Sequence, residues 1–106
     1  MISLHGRRIL LYGKPVDMRK GFVGLQELVL RQLNLDPLSG NAFVFISRSG
    51  RLVKCLLWDR TGFVIVCKRL ENSRFRLRTS ASLVELEKRG LEFFMDGVEV
   101  GGSPVA

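Results

Sequence analysis

The chain has 106 residues, with 17 Lys and Arg against 10 Asp and Glu, a formal net charge of +7 and an isoelectric point near 10.3. A length of this order suits one domain with one modest core, and the basic surplus makes a polyanion the first partner to consider, a membrane surface the second. No segment reaches the roughly 18 apolar residues of a membrane span, and residues 1–8 lack the apolar run and cleavage site of a signal peptide, so a cytoplasmic protein with no membrane partner is expected.

The charge is uneven. Residues 1–80 hold 15 basic and 5 acidic side chains, whereas 81–106 hold Lys88 and Arg89 against Glu85, Glu87, Glu92, Asp96 and Glu99. Such asymmetry suits a polyanion-binding body with a tail that packs or docks elsewhere; a basic solvated surface is the plainer alternative.

In chain order, Arg8–Tyr12 is short, apolar and stopped by Gly13 and Pro15, which predicts a first strand. From Met18 the period becomes helical, with Phe22, Leu25, Leu28, Val29 and Leu33 on one stripe and a stop at Asn34-Leu35-Asp36-Pro37. Asp17 is placed to cap this helix, and Gly21 and Gly24, each costing it about 1 kcal/mol relative to Ala, suggest a close backbone approach to a neighbour or ligand. Arg19 and Lys20 oppose the helix dipole, which a bound phosphate or a salt bridge to Asp36, Asp59 or Glu71 would equally relieve.

Four short apolar runs follow, Ala42–Ser47, Leu52–Trp58, Phe63–Leu70 and Arg74–Arg78, joined by turn-type connections, and they predict an antiparallel meander. If Trp58 opposes Phe63 and Leu70 opposes Arg74, one face collects Phe43, Phe45, Leu56, Trp58, Phe63, Ile65, Cys67, Phe75 and Leu77, closed by the first helix. The other collects Val44, Ile46, Val53, Leu57, Val64, Val66 and Leu70, with Lys68, Arg74, Arg76 and Arg78 at its last two strands. The second helix, sheet curling or a homodimer partner should cover its apolar part. Ser82 is placed to cap a second helix reaching about Phe94. Cys55 and Cys67, inside apolar runs without CxxC spacing or a nearby His, are expected to be small buried hydrophobes in a reducing compartment.

Catalytic patterns are weak. His5 stands alone near a terminus, no GxSxG, Cys/His pair or GxxxxGK[ST] loop occurs, and Asp17, Asp36, Asp59 and Glu71 sit at helix starts and loops where carboxylates cap and turn. A non-enzyme without cofactor or metal is expected. Arg74, Arg76 and Arg78 alternate with Phe75 and Leu77, so three guanidiniums leave one side of the segment, suited to bidentate phosphate contact or to guarding a sheet edge. Arg48 and Arg51 add phosphate contacts or form a solvated turn. With Trp58, Phe63 and Phe75 on the core face, duplex backbone binding fits better than base stacking.

The runs DMRKGFVGL, DPLSGNAFVFISRSGRLVKCLLWD and GFVIVCKRLENSRF resemble the TnpB-type accessory protein, the second open reading frame, of bacterial insertion sequences that carry two accessory proteins beside a DDE transposase. This is not the RNA-guided nuclease that shares the label. The resemblance covers roughly residues 7–77 and takes in Asp17, Gly21, Gly24, Trp58 and Asp59 as motif positions. It supplies no settled catalytic residues. The 45–51 loop is less basic than the resemblance would lead one to expect, and little after Arg78 matches.

The resulting expectation is an α+β domain over residues 1–97, in β-α-β-β-β-β-α order with an antiparallel sheet of about five strands, one helix on the core face and a C-terminal helix, followed by a frayed end at 98–106. The resemblance implies an accessory protein assisting DNA transposition, with duplex DNA of low base specificity, the transposase and the companion accessory protein as partners. The DNA-binding candidates are Arg19, Lys20, Arg48, Arg51, Lys68, Arg69, Arg74, Arg76 and Arg78. An adaptor docking on the transposase through the apolar sheet face and acidic C-terminal helix is the alternative, with a metal-dependent nuclease behind it.

Overall fold

The computed structural model of the chain describes residues 3–105. In chain order its elements are β1 (Ile9–Tyr12), α1 (Phe22–Arg31), β2 (Ala42–Ile46), β3 (Leu52–Asp59), β4 (Gly62–Arg69), β5 (Leu83–Leu86), α2 (Lys88–Met95) and β6 (Ser103–Pro104). The strands form one six-stranded sheet, ordered β4-β3-β2-β1-β5-β6, with one helix on each face. The α+β class expected from the sequence holds.

The meander β2–β3–β4 forms because each strand is a β-branched and aromatic run that alternates between the two faces. Its register is the expected one, with Trp58 opposite Phe63 and Arg60-Thr61 turning the corner, Arg60 at φ 54°. The pairing as a whole is mixed. β1 runs parallel to β2, since α1 returns the chain across the sheet before β2 begins, and the other pairs are antiparallel.

On one face Phe43, Phe45 and Leu56 are fully buried under Leu25, Leu28 and Val29 of α1, each contributing about 1.5–3 kcal/mol through burial. The helix stops where Asn34 turns left-handed at φ 54°, which sends Leu35 back to pack on the same cluster. On the other face Val44, Val53, Leu57 and Val84 lie under Leu91 and Phe94 of α2 and under Phe75. The Phe75 and Phe94 rings meet with centroids 5.3 Å apart. α2 and residues 70–78 of the same chain therefore cover most of that second apolar face, leaving Val66 exposed at its β4 margin.

Several expectations change. Arg74–Arg78 is not a strand beside β4: it crosses the α2 face, where Phe75 N–H donates to Gly50 O (2.7 Å) and Leu77 bridges Val100 in parallel. The expected pairing of Leu70 with Arg74, which would have set Lys68 beside Arg76, is therefore absent, Lys68 keeps Val53 of β3 as its one strand partner, and Phe75 and Leu77 join the cluster opposite the one predicted. The alternation itself was correctly read, because Arg74, Arg76 and Arg78 are exposed while Phe75 is buried and Leu77 half-buried. The predicted helix from Ser82 divides into strand β5, paired with β1, and the shorter α2, whose own charges are Lys88, Arg89 and Glu92, so it is not acidic. Cys55 is buried as expected, but Cys67 is exposed because β4 is an edge strand with nothing over that position. Within the segment read as a frayed end, Val100 is buried and β6 pairs with β5; Ala106 lies outside the described residues.

Candidate nucleic-acid interface

β2 ends, β3 begins and β4 ends at the same end of the sheet, which places the Ser47–Arg51 hairpin beside the chain leaving β4. Ser47 is buried and its Oγ accepts from Leu52 N–H at 3.0 Å, while Gly50, at φ +76°, donates to Ser47 O. A side chain at Gly50 would meet the Cβ of Arg74 at 3.4 Å, so glycine lets residues 74–75 lie against the hairpin. Leu70 N–H donates to Arg51 O and the Arg51 guanidinium to Glu71 O (3.1 Å), fixing the exit of β4.

The turn before α1 is tied to this end. Val16 bridges Ser47, and the Lys54 ammonium reaches from β3 to the carbonyls of Met18 and Lys20, at 2.8 and 2.9 Å. Asp17 does not cap α1. The helix begins after Gly21, and Asp17 caps its own turn, with Oδ1 accepting from Arg19 N–H at 2.9 Å. Its carboxylate also takes the Arg19 guanidinium through both oxygens, so Asp17 and not Asp36, Asp59 or Glu71 is the anion that Arg19 faces. The Arg19 side-chain hydrogen bonds, then its backbone N–H, lower the Asp17 pKa to about 2. A side chain at Gly21 would meet nothing, whereas one at Gly24 would press on the Lys20 stem at 3.0 Å, so the close neighbour of Gly24 is its own turn.

Arg19, Lys20, Arg48, Arg51, Arg69 and Arg74 thus converge around one end of the sheet, with Arg76 exposed two residues beyond Arg74. Arg19 and Arg48 line one cleft of about 480 Å³ together with Asp17, Ser47 and Ser49. Arg69 is held by Glu71 at 3.0 Å. Among the described residues, Lys20, Arg48, Arg51, Arg74 and Arg76 enter no ion pair with a carboxylate. The remaining candidates lie apart: Lys68 faces Asp96 at the end of α2 (3.7 Å), and Arg78 is 3.8 Å from Glu99.

Trp58 and Asp59 sit at the opposite end. There Arg7, which the sequence reading gave no role, donates to Gly40 O (2.7 Å) and Trp58 O (2.8 Å) and lies 3.8 Å from Asp59. Its side chain is 15% exposed, so this arginine is structural. Sequence reading gave Arg7 and Lys54 no role because both partner with backbone carbonyls, which leave no mark in composition. Among the described residues no helix is long and apolar enough to cross a membrane, and no three His, Cys, Asp or Glu side chains are grouped to hold a metal ion.

Fold and site together define a small α+β module with one cation-rich end. The chain belongs to the IS66 Orf2-like family, whose model matches residues 7–103, and this family is associated with transposition of insertion sequences. Among curated proteins it is similar to two from Sinorhizobium fredii (strain NBRC 101917 / NGR234). One, the uncharacterized protein y4jC, is 39% identical over 70 residues, which is 66% of this chain and 60% of the length of y4jC. The other, the uncharacterized protein y4hO, is 36% identical over 84 residues, covering 78% of this chain and 73% of y4hO. No solved structure matches the chain.

Proposed function

We propose that the protein is a non-catalytic accessory factor in transposition of its insertion sequence, and that it holds duplex DNA by the backbone at the end of the sheet built around the Ser47–Arg51 hairpin. The observation that carries this reading is the convergence there of Lys20, Arg48, Arg51, Arg74 and Arg76, cations without carboxylate partners among the described residues. Guanidiniums on exposed turns can take phosphate oxygens in pairs, contacts that position a duplex without reading its bases, so low sequence specificity goes with this reading. Lys68, Arg69 and Arg78 stand at the margin, each already beside a carboxylate that phosphate would have to displace.

A salt titration of duplex binding tests the reading. Each phosphate neutralised contributes about 0.9 to the slope of log affinity against log salt, so an Arg48→Ala/Arg51→Ala/Arg74→Ala variant should lose a slope of about 3, while Lys88→Ala/Arg89→Ala on α2 should leave it unchanged. Equal slopes for the wild type and the triple variant overturn it.

The adaptor reading, docking on the transposase or the companion accessory protein, draws on a different surface from the one first expected. The apolar sheet face is occupied by α2, but Val23 (71% exposed) and Leu30 (56%), one heptad apart, leave an apolar stripe on the outside of α1. Loss of transposase co-purification in a Val23→Ser/Leu30→Ser variant after nuclease treatment would favour that reading.

A further inference from the structure

β4 is an edge strand of eight residues, Gly62–Arg69. Natural sheets blunt such edges with proline, a bulge, a short strand or a charge in the middle, and β4 has none of these: its centre is Val64-Ile65-Val66-Cys67, with Lys68 and Arg69 only at its end. Val66 is 44% exposed and Cys67 is exposed, whereas Phe63, Val64 and Ile65 are half-buried and Cys55 and Leu57 of the adjoining strand are buried. An apolar groove of about 570 Å³, lined by Cys55, Leu57, Val66, Leu91 and Met95, opens beside Val66.

The hydrogen-bond phase of the strand can be read from its last contact. Leu70 N–H donates to Arg51 O, and the register pairs Leu52 with Arg69, so the even-numbered residues of β4 direct their N–H and C=O groups at β3. Phe63, Ile65, Cys67 and Arg69 therefore point theirs away from the sheet.

We propose that β4 joins two copies of this chain: the strands pair antiparallel about a two-fold axis through Val66, making one continuous sheet. A two-fold perpendicular to the sheet keeps each face on its own side, so residues opposite one another must share a face, and the axis must pass through a residue of β4. Through Val66, Ile65 falls opposite Cys67 of the second copy and Phe63 opposite Arg69, and every outward-facing residue of the strand finds a partner. Through Ile65, Arg69 would fall opposite Thr61, beyond the strand. In the Val66 register Lys68 meets Val64 and Arg69 meets Phe63, so no like charges stand directly opposite, whereas parallel in-register pairing would set Lys68 against Lys68. The two Val66 side chains meet at the axis beside their grooves, which accounts for the exposed valine.

Sedimentation of the nuclease-treated, reduced full chain over micromolar to submillimolar concentration should show a species with the mass of two chains. Val66→Lys, which sets two ammoniums face to face, should return it to one chain; Cys67→Pro, which removes only an outward N–H, should do so too should Val66→Lys fail to fold. In a Cys67→Ser background, Val66→Cys should oxidise to a disulfide-linked dimer, because directly opposite residues of a non-hydrogen-bonded pair sit about 4.5 Å apart between Cα atoms, within disulfide reach. Ile65→Cys in the same background should not. A single-chain mass at every concentration, a folded Val66→Lys variant that stays dimeric, or linkage at position 65 in preference to 66 overturns the proposal.

Discussion

The ammonium of Lys54 donates to the carbonyl oxygen of Lys20 at 2.9 Å. Lys54 stands on β3 opposite Phe45, on the face that carries α1, and its stem crosses to the turn before the helix, where it also takes the Met18 carbonyl at 2.8 Å. Two carbonyls drawn to one ammonium fix the path of residues 18–20. They thereby set the direction in which Arg19 and Lys20 leave the surface. A lysine that counts towards the basic surplus is thus part of the scaffold that presents other cations.

Replacing that ammonium should loosen the turn. Lys54→Met keeps most of the stem but leaves the Met18 and Lys20 carbonyls without a donor, at a cost of about 1–3 kcal/mol. For a domain of this size the thermal midpoint should fall by roughly 4–8 °C per kcal/mol, and DNA affinity should fall with it. Thermal denaturation followed by circular dichroism checks the first effect, and an unchanged midpoint would show that water replaces the ammonium at no cost.

The Asp17–Arg19 pair has a signature in pH. Asp17 is held at about 2, below its ordinary value of 3.8, so its contribution to the folded state is present above pH 4 and is lost as pH falls towards 2. At neutral pH the pair is insensitive to acidity. Carboxyl titration by NMR should give a midpoint near 2 for Asp17 and an upward return in Arg19→Ala. A midpoint left near 2 in that variant would assign the shift to the backbone N–H of residue 19 instead.

The residues after Leu70 mark where the sequence was legible and where it was not. Periodicity correctly sorted Phe75 and Leu77 inward and Arg74, Arg76 and Arg78 outward, since alternation depends only on an extended backbone with one wet side. It could not say what lay underneath, and a strand docked on a face alternates like one paired at an edge. Leu83-Val84-Glu85-Leu86 failed for a related reason: an apolar-polar run of four residues fits one turn of helix as well as a short strand, and only pairing with β1 decides between them. The hairpins of the meander were readable because their turn residues are local. The clustering of the cations was only partly readable, because it depends on Val16 bridging Ser47 and on the Gly50 contact with Phe75, both distant in sequence.

The two cysteines should differ sharply in reactivity. Burial pushes the Cys55 thiol up to about 12, whereas Cys67 is exposed on the edge strand. A thiol reagent at neutral pH should modify one cysteine per native chain, and Cys67→Ser should abolish the reaction until the protein is denatured. Rapid modification of Cys55 in the native Cys67→Ser variant would mean that the α2 face opens readily.

Phe75 couples that face to the basic end. It is 5% exposed and packs its ring against Phe94 of α2, while its own N–H is bound to Gly50 and its neighbours Arg74 and Arg76 face solvent. Removing the ring should cost about 3–5 kcal/mol, a large share of the roughly 5–15 kcal/mol by which a domain is stable. Phe75→Ala should therefore lower the denaturation midpoint strongly. Arg74→Ala, which removes only an exposed charge, should leave the midpoint within about 0.5 kcal/mol of wild type. Because residues 74–76 are held at the hairpin by this one aromatic anchor, Phe75→Ala should also weaken DNA binding under conditions where the variant is still folded, and by more than Arg74→Ala does. A stable Phe75→Ala variant with unchanged affinity would detach Arg74 and Arg76 from the interface and leave Lys20, Arg48 and Arg51 to carry it.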